Sequence, residues 1–442
     1  MTTANRKPRV SLSLIGRIVS QAALGFVRLL RRFNRFAIGQ TRSFKRSRTI
    51  ARNETRIAID ETALALMQRE AMAALTDEPD SEPDVGLDPA DRHIAQAIEA
   101  ETRKHNRNNV TRTAAYWRIY AEHPELHWAL LAHMVSRNGG WNMTDLQGDL
   151  LPELLQESQR TAMFRMLERA NGLIFQDAYP QLALYRESIR LGRPLFHLLP
   201  VFHISVFMPP FWRRFWQQRD SAMLSIALVA NEQHYIQRRV AEQPEYKREV
   251  LGEPFFRLQS LLHMNQILFP FRYGADQPEL KLAGLTLEWF ADLDERIRVG
   301  ARLYSLLFGE PDVLRGVVAF ASSCPHTGSR SDYWPHLYTS QPGKQKSGGT
   351  AAERLSGSKL KPGAEPFHSP ELRQAWPDQP FASPDRFDWF ARDARPNEAF
   401  RYFRGLRPPV GLDMTNAACY RLSKLELAAL AARAVRSGQG GE

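Results

Sequence analysis

The densest concentration of groups able to do chemistry lies between Glu122 and Leu151, in the string EHPELHWALLAHMVSRNGGWNMTDLQGDLL. Imidazoles, a guanidinium and carboxamides surround a Gly-Gly pair there. If a helix opens at Pro124, then Leu126, Leu130, His133 and Arg137 form one stripe, and His127, Leu131 and Met134 form its neighbour. His127 and His133 are then about 240° apart around the axis, so one helix cannot offer both to a single metal. Either imidazole could instead serve as a general acid or base. Asn138-Gly139-Gly140 reads as an abrupt helix stop, with a new helix beginning near Thr144, which forms a capping box with Gln147. Amides freed at such a junction, beside Arg137, Trp141 and Asn142, suit an anion or a carboxylate. The same residues could simply make a turn, fill the core with Trp141 and pair Arg137 with an acid.

Two carboxylates add to this set. Glu232 shares a helical face with Ser225, Val229 and Ile236 in an apolar segment, where desolvation raises a carboxyl pKa unless the group is paired. It is the candidate partner of His127 or His133. Asp177, in FQDAYP, is a candidate acid or a helix-end cap. A second polar cluster runs from Cys324 to His336. In it Ser329 and Arg330 are candidate anion ligands, or parts of a loop that tethers the C-terminal region. HExxH, GxSxG, GxGxxG and CxxC are all absent from the sequence. No metal and no cofactor are expected. Cys324 and Cys419 have no cysteine neighbour to make a metal knuckle or redox pair, which suits a reducing compartment.

The elements that must position these groups are helical. Asp220 can cap the apolar helix after it; Pro180 and Pro311 read as first-turn prolines that open segments, and Gly139, Gly192 and Gly309 as stops. Leu287, Phe290, Leu293, Ile297, Ala301, Tyr304 and Phe308 recur at steps of three and four. Strand-like alternation is lacking. The expectation is an all-α body of about eight to ten helices with a loop-rich C-terminal region.

Charge divides the chain further. Residues 1–56 hold fourteen Lys/Arg against Glu54 alone, a charge of +13, which leaves −2 for the remainder of a chain of +11. Attraction to phosphate therefore belongs to this arm. In it Leu12, Ile15, Val19, Ala22, Phe26, Leu30 and Phe33 line one helical face, and arginines line the other. That is the pattern of a helix lying on an anionic membrane through residues 10–36, with Arg17, Phe26, Arg28, Arg32, Phe33 and Arg35 in contact. Docking on the body or on a partner is the plainer alternative. Nucleic acid is not the expected partner, and no protein partner is indicated. An apolar stretch long enough to span a bilayer is lacking, and the expected location is the cytoplasm, at the inner membrane face. Residues 57–106 read as an acidic linker region with helical flanks, 107–338 as the helical core, 339–375 as a flexible linker, and 376–442 as an aromatic-rich segment that wraps back and ends in a helix.

HWALLAHMVSRNGGWNMTDL (127–146), FQDAYPQL (175–182), FHISVFM (202–208), ALVANEQ (227–233) and RLYSLLF (302–308) resemble the YppC-like bacterial family, a domain of unknown function. The likeness covers roughly residues 107–338 and continues through HTGSRSDYWPH. It implies a bacterial protein and carries no activity with it. Two functional expectations stand beside each other: a peripheral membrane-binding or scaffold module, and a hydrolase or transferase acting on an anionic substrate. The second requires His133, Arg137 and Glu232 to meet in one pocket.

Overall fold

The computed structural model describes Asn34 and residues 36–75, 87–252, 265–273, 280–343, 352–381, 384–393 and 395–439. Arg17, Phe26, Arg28, Arg32, Phe33 and Arg35 lie outside the described residues. Helix α1 (36–50) is docked on the body: the Phe36 ring stacks on Tyr420 at 4.2 Å, Arg46 pairs with Asp413, and Ser47 and Ile50 are buried.

The helices begin where sequence chemistry can satisfy their first amides. Asp60 caps α2 (Glu61–Ala73), Asp88 caps α3 (Pro89–His105), and an Asn108–Thr111 capping box opens α4 (Asn109–Glu122). Helices α5 (His127–Asp145) and α6 (Glu157–Leu191) follow; Gly192, at φ 67°, ends α6. Then come α7 (Pro209–Gln218) and α8 (Ser221–Ile236), the latter capped by Asp220 as the sequence suggests. Asp292 caps α9 (Leu293–Gly309), and α10 (Pro311–Ser323) starts with Pro311 in its first turn. The chain closes with α11 (Thr415–Gln439). Helices α4, α5, α6, α8 and α9 pack around one apolar core.

The protein is mostly helical, but it is not purely α and has more helical segments than eight to ten. Strands β1 (Gln266–Phe271) and β2 (Lys281–Thr286) form an antiparallel hairpin, with Gln266 opposite Thr286 and Phe271 opposite Lys281. Alternation cannot reveal β1, because all of its residues but Ile267 are buried, so both faces are apolar. Further short pairs follow: β3 (Tyr338–Thr339) runs parallel to β6 (Phe367–His368), and β4 (Leu355–Ser356) pairs with β5 (Lys359–Leu360).

Four boundaries differ from expectation. Helix α5 runs straight through Gly139-Gly140 to Asp145, so Thr144 begins no helix; its hydroxyl donates to the Trp141 and Gly328 carbonyls. Pro180 sits inside α6, where dense burial from Leu173 to Tyr185 outweighs the local helix-breaking tendency. Leu287 and Phe290 precede α9. The described part of the expected flexible linker is tied down: Arg354 pairs with Asp149 at 2.7 Å, and Glu426 accepts from the Arg354 and Leu355 amides.

The aromatic C-terminal segment does wrap onto the body. Trp376 stacks on Phe164 at 4.2 Å, Phe403 on Phe211 at 5.3 Å, and Trp389 on His234 at 3.9 Å. Leu425 and Ala429 of α11 are buried, as the stripe they share predicts.

Candidate functional site

Helix α5 carries most of the sequence candidates, and it presents them to two different environments. Its first face, with His133, Arg137, Gly140, Trp141 and Thr144, is closed by protein. Nδ1 of His133 lies 2.9 Å from the Thr113 carbonyl, so it must donate there, leaving Nε2 as a buried acceptor without a partner among the described residues. Burial, with the nearby Arg137 charge, holds His133 far below the usual imidazole range. Nη2 of Arg137 donates to the Cys324 carbonyl at 2.6 Å, and the guanidinium lies 4.5 Å from the Phe320 ring centroid and 4.0 Å from Asp332. Trp141 packs on Tyr333 and donates to Asp332.

Gly140 explains the Gly-Gly pair. A Cβ at this position would fall 2.4 Å from both Asn109 Oδ1 and His326 Nε2, far inside contact distance. Asn109 Nδ2 donates to the Ser136 carbonyl, so its Oδ1 must be the atom that accepts from His326 at 2.9 Å. The glycine therefore lets α4 and the 324–336 loop close on α5; no chain reversal is involved. Around it, Asp332 accepts from Thr327 N at 3.1 Å and Thr327 Oγ1 at 2.6 Å, with His326 Nδ1 3.3 Å away. Burial opposes its charge, yet these bonds hold the carboxyl below the ordinary range. Ser329 donates to the Ser369 carbonyl at 2.5 Å. Arg330 grips Asp145 with Nε at 2.7 Å and Nη2 at 2.7 Å, and reaches Asn142 Oδ1 at 3.2 Å. The loop is thus a tether, with its donors committed internally.

The other face of α5 lines a cavity of about 240 Å³. Trp128, Leu131, Val135, Asn138, Gly139, Asn142, Asp145 and Leu146 recur along it at steps of one, three and four. At 1.5 Å per residue, Trp128 to Asp145 spans about 25 Å, so the space is elongated. Met163, Leu167 and Ile174 of α6, Val229 of α8, and Val299 and Leu303 of α9 supply apolar walls. Asn138 is bound on the side of β1, where it donates to the Leu268 carbonyl at 2.7 Å and accepts its amide at 2.8 Å.

A few polar groups punctuate these walls. Glu232 opens on the cavity, and burial pushes its carboxyl up to about 8. Near it, the Tyr116 hydroxyl has no partner among the described residues. Arg296 donates to oxygens of Gln233, Gln237 and Phe290, all neutral. At the far end Asp145, Leu151 and Arg421 line both this cavity and a smaller recess of about 40 Å³.

The proposed acid–base set does not assemble. Of His127, His133, Asp177 and Glu232, only Glu232 lines the cavity. His127 is stacked on Phe308 at 3.9 Å and bonded to the Tyr304 hydroxyl at 3.0 Å; burial lowers it to about 4. Asp177 is locked between α6 and α8, accepting from Asn231 at 2.6 Å and Gln181 at 3.1 Å, with burial raising it to about 7. His133 and Arg137 face away from Glu232, which removes the hydrolase or transferase geometry the sequence suggested. The anion junction is not formed either, since α5 has no break there, Trp141 and Ser329 donate within the fold, and Arg137, whose Nε and Nη1 have no partner among the described residues, is enclosed by packed protein. Asn138, Gly139 and Asn142 do reach the cavity, and Arg330 reaches the recess. Among the described residues no group of three or more His, Cys, Asp or Glu could hold a metal, and no helix is long and apolar enough to cross a membrane.

Sequence reading missed Tyr116, Asp145, Arg296 and Arg421. For Arg421 a signal existed: it interrupts the apolar stripe of Ala418, Leu422, Leu425 and Ala429, where a lone charge demands an internal partner.

Similarity places this architecture among known sequences. A protein of Bacillus subtilis (strain 168) described as "Uncharacterized protein YppC" is 44% identical over 241 residues, covering 54% of this chain and 73% of the relative. No solved structure matches. Residues 104–399 match the family described as "Protein of unknown function (DUF2515)", so helices α4 to α10, which build most of the cavity, fall within it, and the chain belongs to that family.

Proposed function

We propose that this protein is a binding module for a small, elongated, largely apolar molecule held in the central cavity. The observation that carries this reading is the continuous strip of α5 from Trp128 to Leu146 that faces open space while the opposite strip is packed solid. A cavity lined by apolar side chains with a few convergent polar groups is the common form of a ligand site. At the 10–15 Å³ that one water needs, the space would hold roughly twenty waters, many of them against hydrocarbon. An apolar occupant would displace them with gain.

Val135, 36% exposed, stands at the edge of the cavity and offers the test. Val135→Trp should fill the entrance with a stability change under about 1 kcal/mol, because Val135 is itself partly exposed to water. Binding of long-chain amphiphiles, followed by Trp128 fluorescence and native mass spectrometry, should fall at least tenfold. Unchanged binding in this variant would sink the assignment to this cavity.

Residues 10–36 form a second, separable part of the reading, in which they hold the protein at an anionic membrane surface. Its support is the +13 charge of residues 1–56 together with their apolar stripe. Vesicles containing phosphatidylglycerol should co-sediment with the full chain, and removing residues 1–56 should abolish this.

A further inference from the structure

Resting on the cavity reading, we infer that the ligand is a long-chain monocarboxylic acid whose carboxylate seats against Arg421, with its hydrocarbon lying along α5.

Arg421 is 5% exposed, and its nearest acid is Asp145, 3.5 Å away. Asp145 is already gripped by Arg330, whose Nε lies 2.7 Å from Oδ1 and 2.9 Å from Oδ2, with Nη2 at 2.7 Å. Two buried guanidinium ions therefore share one carboxylate. Arg330 is fully served, with Nη1 donating to the Tyr333 hydroxyl at 2.6 Å. Arg421 makes no hydrogen bond to any described residue and lines both the long cavity and the 40 Å³ recess. A buried ion left with spare donors is costly, and an anion brought in by a ligand would satisfy it.

Size and charge narrow the class. The recess has room for a group of about three waters' size, which suits a carboxylate. Asp149, which also lines the recess, is paired with Arg354 at 2.7 Å, so Arg330 and Arg421 against Asp145 leave an excess of one positive charge; a monoanion neutralises it and a dianion overshoots. Tyr338, which also lines the recess, offers a hydroxyl. From there the cavity follows α5 for about 25 Å between apolar walls, a length suited to an extended acyl chain. Arg296, the other buried cation on the cavity wall, has its donors committed to neutral oxygens and does not compete.

The experiment compares hexadecanoic acid, hexadecanol and hexadecyl phosphate on the full-length protein at pH 7.5, by calorimetry and by Trp128 fluorescence. The acid should bind at least tenfold more tightly than the alcohol. Arg421→Gln should remove that advantage and leave alcohol binding within twofold of the unmodified protein. Equal binding of acid and alcohol to the unmodified protein overturns the carboxylate assignment and leaves the cavity reading standing. Tighter binding of the phosphate than of the acid also overturns it. If none of the three binds, both the cavity reading and this inference fall. The acid–alcohol comparison needs no variant, so it decides even if Arg421→Gln folds poorly.

Discussion

One face of α5 is sealed by packed protein and the other opens on a cavity, although the sequence distributes polar groups over both. On the closed face His133, Arg137 and Trp141 have their principal bonds to Thr113, Cys324 and Asp332, and Gly140 admits two further elements to contact distance. On the open face Gly139, Val135 and Asn142 border a cavity. The difference teaches that a high density of reactive side chains does not mark a site. What marks it is unpartnered polar or apolar surface that borders open space: His133 Nε2 and Arg137 Nε and Nη1 also lack partners among the described residues, but packed protein seals them off.

The largest way to break this comparison is at Asp332. Asp332→Ala strips Thr327 and Trp141 of their common acceptor, removes the carboxylate facing Arg137, and should cost roughly 3–4 kcal/mol in urea unfolding, as expected for one half of a buried charge network. Next is Gly140→Ala, which sets a methyl 2.4 Å from Asn109 and His326. Overpacking of that kind should cost about 2–3 kcal/mol despite the better helix propensity of alanine. A near-neutral result would mean that the closed face is looser than its contacts imply.

Glu232 sharpens the open side through pH. Its folded pKa is raised to about 8 from 4.5, so between those values the unfolded chain has released a proton that the folded protein keeps. Stability therefore falls as pH rises through this window, because the unfolded state binds fewer protons. Glu232→Gln should remove the penalty, gaining roughly 2 kcal/mol at pH 9 after allowance for solvent in the cavity and almost nothing at pH 4. Thermal melts across that range should show the two curves converging at low pH; parallel curves would place the carboxyl in water. The smallest effect is expected at Gly139→Ala. Its new methyl would stand 3.2 Å from the Asn171 amide, and the gain of about 1 kcal/mol in helix propensity should roughly cancel this contact. A loss as large as that of Gly140→Ala would erase the distinction between the two faces.

Several features of the site are legible in the sequence. Glu232 stands out because a carboxylate on the Ser225–Val229–Ile236 face of an apolar helix has nowhere polar to go, and it does open into the central cavity. The Gly139-Gly140 pair marks close packing and not a helix end: glycine pairs often end helices, but here Gly140 admits neighbours from distant chain positions. The hairpin β1–β2 escaped notice because burial on both faces erases the period-two pattern. Arg421 could have been flagged as a charge on an apolar stripe, yet its relation to Asp145 lies far beyond any local pattern.

By itself the sequence determined the helical cap at Asp220, the amphipathic stripes, the separation of a strongly basic arm from a nearly neutral body, and the family, since all of these depend on residue type and local spacing. Tertiary structure alone decided which polar groups are satisfied and which are left over. A hydrogen bond or an ion pair is completed by a partner that packing brings from elsewhere, so His133 and Arg137 became structural while Glu232 and Arg421 kept an open side.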